Sequence, residues 1–225
     1  MQPRNRASGS RAGNVRGIAA LIALAAAACE PGPRTRDPLP AADSAIDIEL
    51  RDELVRLGMA DRMARLGFDT ETAADTARLR VVVGIDSSLT NRLRRIVAER
   101  GWPGRSLVGE DAAGAAFLIV QHSPSDAFQR DMLPLLETAA AAGEASAADV
   151  AMLTDHVRTH EGRPQRYGTQ FRIVDGGLEP FAIEDPAHLD ERRQRVGLLP
   201  MAEYVKILRS TFNGQVRMPP ADTTR

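Results

Sequence analysis

The sequence predicts a mainly α-helical domain with one late two-stranded β-hairpin. Three observations predict it. Apolar residues recur at helical spacing through most of residues 45–160 and again after residue 185. The period changes to two only once, where Tyr167, Thr169, Phe171 and Ile173 alternate with Gly168, Gln170, Arg172 and Val174. And 43% of the residues are hydrophobic but only 4% aromatic, so Leu, Val, Ile and Ala must fill the core.

The chain divides before the first helix. Residues 1–16 carry Arg4, Arg6, Arg11 and Arg16 and no acid, and "GIAALIALAAAA" then runs uncharged from Gly17 to Ala28. Twelve residues are too few to span a bilayer, which takes about 20. A basic segment followed by a short apolar one is the pattern of a secretory signal. Residues 1–28 are therefore expected to be a signal peptide. The single cysteine, Cys29, follows at once, and "AAAC" resembles the bacterial lipobox. That resemblance implies lipidation of Cys29 and anchoring by several acyl chains, two or more of which hold a protein stably at a membrane. Residues 29–44, with four prolines after Cys29, are expected to be an extended tether. Removing the four leader arginines from 29 basic residues leaves 25 against 30 acidic, a net charge of −5, so no nucleic-acid partner is expected.

The domain is placed at residues 45–212. Ile46, Leu50, Leu54, Leu57 and Met63 mark a first helix. "FDTETAADTARLRVVVGID" is ambiguous between a helix and a short strand at residues 80–83. Ser87 or Ser88 can then cap a helix carrying Leu89, Leu93, Ile96 and Val97, which Gly101 closes and Pro103 forbids from continuing. "GEDAAGAAFLIVQHS" is apolar all round and reads as a buried helix. Ser123 with Pro124 is expected to open the next one, which Pro134 should kink or split. Ser146 with Asp149 is a capping-box variant for the helix ending "HVRTHEG". After it, "DGG" at 175–177 is a turn and "LEPFAI" the returning strand. A helix restarts at Asp185 and Pro186, and Met201, Tyr204, Val205 and Leu208 share one face of the last. Residues 213–225 are expected to be a flexible tail.

Four histidines are the candidate reactive groups. On a helical wheel from Val150, His156 and His160 fall beside the stripe of Leu153 and Val157 and share a face. A zinc site could use this pair with a third ligand such as His122 or Glu161, but two histidines four apart are a weak signal without further ligands, so no metal or cofactor is expected. His122 and Gln121 end an apolar run and need polar partners. The stretch "EGRPQRYGTQF" concentrates Arg163, Gln165, Arg166, Tyr167, Thr169 and Gln170, whose groups could hold a carboxylate, a peptide backbone or a sugar. The competing reading is that these side chains close off orphan backbone groups at the helix end. Trp102, the only tryptophan, is expected to plug the core.

The blocks "GWPGRSLVG", "AAFLIVQHS", "FQRDMLPLLETA", "EGRPQRYGTQF" and "IEDPAHLDERRQRVGLLPMAEY", in that order, resemble a bacterial family of uncharacterised domains. The likeness runs from about Arg92 to Tyr204. It implies that Trp102, His122, Gln165, Tyr167, Gly168, Thr169 and Gln170 belong to a shared motif, and it implies no reaction.

The functional expectation is a cell-envelope lipoprotein facing the periplasm or exterior. It would bind a small polar ligand or peptide through Arg163, Gln165, Tyr167, Thr169 and Gln170. The alternatives are a hydrolase or transferase using His122, His156, His160 or Tyr167, and a purely structural domain. No cysteine remains for nucleophilic work, and no Gly-x-Ser-x-Gly or phosphate-loop pattern occurs. The site expectation is geometric: His122 and the His156–His160 pair should converge with the polar groups of residues 165–170.

Overall fold

The computed structural model describes residues 46–66, 73–174, 177–211 and 216, with backbone alone at 73–76. The expected leader, Cys29, the expected tether, residues 175–176 of the expected turn and most of the expected C-terminal tail lie outside the described residues. The domain is mainly helical with one late antiparallel hairpin, as the periodicities predict.

Helix α1 (Ile48–Arg65) starts at Asp47, whose carboxylate accepts the Leu50 N–H at 3.0 Å. Its buried face is Leu50, Leu54, Gly58 and Asp61, while Met63 and Ile46 of the expected stripe are exposed. Gly58 explains the difference. A Cβ there would lie 2.6 Å from the Ala115 Cβ, so only glycine lets α1 close on the alanine-rich α4 (Glu110–Gln121). The contact line continues one turn on, to Asp61.

Helix α2 (Ala73–Arg100) settles the ambiguous segment. It is one continuous 28-residue helix, with neither a strand at 80–83 nor a new start at Ser87. The Ser87 hydroxyl bonds back to the Val83 carbonyl at 2.7 Å, one turn earlier, and caps nothing. Gly101 ends α2 at φ 74°, its N–H donating to the Val97 carbonyl. A short helix, α3 (Arg105–Val108), fills the loop beyond, and half-buried Trp102 packs on the main core as expected.

Helix α5 (Asp126–Ala141) is capped by Ser125 rather than Ser123, whose hydroxyl accepts the Ser125 N–H. It runs unbroken through Pro134. Helix α6 (Ala147–His160) starts at Ser146, which accepts the Asp149 N–H as the capping pattern predicts. Helices α1, α2, α4, α5 and α6 enclose the main core around Leu54, Leu93, Ile96, Val120, Leu136 and Leu153.

A second, smaller core holds Phe171, Leu178, Leu189, Met201, Tyr204, Val205, Leu208 and Val216. Strands β1 (Phe171–Val174) and β2 (Gly177–Pro180) pair in the register Phe171 opposite Pro180. Residues 185–200 form a 3-10 turn (Pro186–His188), then α7 (Leu189–Arg195), before α8 (Met201–Thr211). The four apolar residues expected on one face of α8 are all buried. Strand β1 begins at Phe171, four residues later than the alternation suggested. Gly168 sits at φ 68°, a left-handed conformation that breaks the extended run. Among the described residues, no helix is long and apolar enough to cross a membrane.

Candidate functional site

The polar loop "QRYGTQ" owes its shape to one residue absent from the expected set. Asp155 of α6 has no exposed surface. One carboxylate oxygen accepts the N–H groups of Arg166 (2.6 Å) and Tyr167 (3.0 Å). The other accepts the Thr169 N–H and hydroxyl, both at 3.0 Å. Burial pushes the Asp155 carboxyl above its ordinary range, and these donors pull against that shift. The loop thus wraps a buried acid as a backbone nest wraps an anion.

Gln165 completes the loop from the other side and is also wholly buried. Its carboxamide donates to the Gln170 and Phe181 carbonyls, each at 3.0 Å, and accepts the Gln170 N–H at 2.8 Å. Arg193, buried in α7, donates to the carbonyls of Tyr167 and Leu199 and stacks on the Tyr204 ring. Arg192 donates to the Arg166, Glu184 and Asp185 carbonyls. The side chains of Gln165 and Thr169 are therefore engaged in holding the segment. Arg163 is exposed and pairs with Glu161, and the half-buried Tyr167 ring lies beneath the Arg166 guanidinium.

The loop's last residue reaches a second cluster. His156 and His160, one turn apart on α6, stack with ring centroids 4.3 Å apart. Asp126, the first residue of α5, places its carboxylate 3.0 Å from His160 Nδ1. One ligand atom from each of Asp126, His156 and His160 lies within 4.8 Å of the others. His156 is only 6% exposed, and its Nδ1 is buried with no hydrogen-bond partner. Burial pulls its pKa down from 6.5 to about 4, and the neighbouring His160 adds to the effect. Asp126 and the Gln170 carboxamide oppose that shift. The imidazole is therefore neutral at pH 7, with a lone pair to offer. The third partner comes from Asp126, neither His122 nor Glu161, because the short α4–α5 turn brings the start of α5 over the end of α6.

His122 has a different partner from the one expected. It ends α4 and faces α1, where both Asp61 oxygens lie 2.8 Å and 3.0 Å from its Nδ1. Asp61 is 1% exposed. It also accepts the Arg65 guanidinium at 2.8 Å, and Arg65 forks onto both oxygens of buried Asp86 at 2.9 Å and 3.0 Å. Burial pushes the Asp86 carboxyl up while Arg65 holds it down. The ring's other nitrogen, Nε2, is buried and unpartnered. The expected single network is thus two clusters: His122 with Asp61, Arg65 and Asp86, and His156 with His160, Asp126 and Gln170. Sequence inspection missed Asp61, Asp86 and Asp155. The one available signal was position: Asp61 lies three residues beyond Gly58 and Asp155 three beyond Met152 and four beyond Ala151, both on buried helix faces.

Histidine His188 is exposed and pairs with Asp185 far from either cluster's residues in sequence. No curated protein and no solved structure matches the chain. A family model, described as a family of unknown function (DUF6624), matches residues 48–217, which takes in α1 and Asp61 as well as the segments from Trp102 to Tyr204. With three quarters of its length inside that match, the chain belongs to the DUF6624 family of unknown function.

Proposed function

We propose that the protein is a lipid-anchored cell-envelope lipoprotein whose domain binds a small polar ligand or a peptide beside the end of α6. The leader, the small residues before Cys29 and the proline-rich tether support the anchored address. One observation carries the binding reading. The buried His156 imidazole has an unused Nδ1, in the same cluster as the more open groups of His160 and Asp126. Among the described residues seven buried side-chain polar atoms lack a partner, and the His156 Nδ1 is the one whose residue clusters with the open carboxylate of Asp126 and imidazole of His160. Beneath the cluster, Asp155 and Gln165 fix the backbone that delivers Gln170, so the groups are held rather than floppy.

The test is a thermal-shift screen of the purified full-length chain against amino acids, short peptides and muropeptides, with chelator present. A ligand that binds only the native state raises the melting temperature. The reading expects a shift for one ligand class, lost in Asp126→Ala and His160→Ala. A shift retained in both variants, or none for any class, overturns it.

A second reading has its own observation. Asp61 grips His122 Nδ1 and leaves Nε2 unpaired, the arrangement in which a carboxylate orients an imidazole as general base. It expects turnover of ester or amide substrates that disappears in His122→Gln while the ligand-induced shift above persists.

A further inference from the structure

We propose that Asp126, His156 and His160 form a binding site for a divalent transition-metal ion of the zinc type, open to solvent on one side. The inference rests on the same residues as the ligand site proposed above and adds an ion to them, independently of whether a polar ligand is held there without metal.

The donor set is two imidazoles and a carboxylate, the combination that divalent zinc accepts when it keeps a position for water or another ligand. Metal–ligand distances of about 2.0–2.2 Å in tetrahedral geometry place the ligand atoms about 3.3 Å apart. The His160 Nδ1 to Asp126 Oδ1 separation is already 3.0 Å, and one ligand atom from each of the three residues lies within 4.8 Å of the others. Small side-chain rotations therefore close the set around an ion. Hydrogen bonding within the protein accounts for the His160–Asp126 contact but leaves His156 Nδ1, in a residue more than nine-tenths buried, with nothing to bond. The two histidines are one helical turn apart on α6, so a rigid backbone sets their spacing. The side chains of His160 and Asp126 are 31% and 57% exposed, which gives an ion an entry route and at least one open coordination position.

The test uses the untagged full-length chain, stripped of metal by chelator and dialysis. Zinc is titrated by calorimetry, and cobalt by its visible absorption. The expected result is one ion per chain, a cobalt spectrum of tetrahedral intensity, and at least tenfold weaker binding in Asp126→Asn and His160→Gln. Both of those residues are exposed, so their variants keep the fold whatever becomes of the buried His156→Gln. His188→Gln, outside the cluster, should bind as the parent does. Absence of a one-to-one ion, or affinity unchanged in Asp126→Asn and His160→Gln, overturns the proposal. Its failure is distinct from that of the ligand reading, which is tested with chelator present. A ligand-induced shift in chelator with no one-to-one ion in its absence sinks only the metal, and a one-to-one ion with no ligand-induced shift sinks only the ligand.

Discussion

Replacing Asp155 by alanine removes a single carboxylate and leaves four donors without an acceptor: the N–H groups of Arg166, Tyr167 and Thr169, and the Thr169 hydroxyl. A buried donor left unpaired costs about 1–3 kcal/mol. Four at the lower end give about 4 kcal/mol. The upper end is not reached, because the contributions are not additive and the wild-type fold already bears the cost of burying the charge, as the upward shift of the Asp155 carboxyl indicates. A loss of about 4 kcal/mol is a large part of the 5–15 kcal/mol that holds a typical domain together. With a urea slope of about 2 kcal/mol/M, the unfolding midpoint should fall by about 2 M. Asp155→Asn keeps one acceptor oxygen and should fall about half as far, and Thr169→Val, which removes one hydroxyl donor, by about 0.5 M. Urea unfolding followed by circular dichroism measures all three. A midpoint within about 0.5 M of wild type for Asp155→Ala would refute the reasoning, since the loop would then hold its shape without the acid.

Arg65→Met should cost about 3–5 kcal/mol in the same assay, because it strands the buried carboxylates of Asp61 and Asp86 without the guanidinium that links them; a neutral result would mean that the buried acids do not depend on it. Gly58→Ala should cost about 1–3 kcal/mol, since its Cβ would lie 2.6 Å from the Ala115 Cβ and force α1 off α4; a stable variant would show that the helices slide apart freely. The His156 imidazole ties stability to pH: the unfolded chain takes up a proton near 6.5 that the folded chain refuses down to about 4, so stability falls as pH drops through that window. The loss attributable to this group is about 3 kcal/mol at most. It is read as the pH-dependent difference between wild type and His156→Gln in the presence of chelator, and a difference that is flat from pH 7 to pH 4 contradicts it. Cys29→Ser should move the protein from the membrane fraction to the soluble envelope fraction, and unchanged membrane association would remove the lipid anchor from the proposal.

Local chemistry was enough for the helices, the hairpin and several of the stops. Ser146 and Gly101 work within one helical turn, and the apolar face of α8 repeats at the helical period, so short windows of sequence carry them. Where a residue had two local uses, the sequence was ambiguous. Ser87 can cap a helix or bond back to Val83, and the choice falls to the packing that keeps α2 continuous. The same holds for "QRYGTQ". Its alternation suggested a strand, but four hydrogen bonds to Asp155 outweigh extended pairing and bend residues 166–169 around the acid.

By itself, then, the sequence determined the α-helical class, the single late hairpin and the polar character of residues 163–170. Tertiary structure alone decided which polar groups meet. Asp61 and His122 are 61 positions apart and Asp126 and His160 are 34 apart, and no periodicity links residues at such separations. What joins them is helix packing. The close approach of α1 to α4 through Gly58 presents Asp61 to His122, and the seating of α5 against α6 sets Asp126 against the stacked imidazoles. Burial then fixes their chemistry, because a charge or lone pair removed from water must find its partner within the fold.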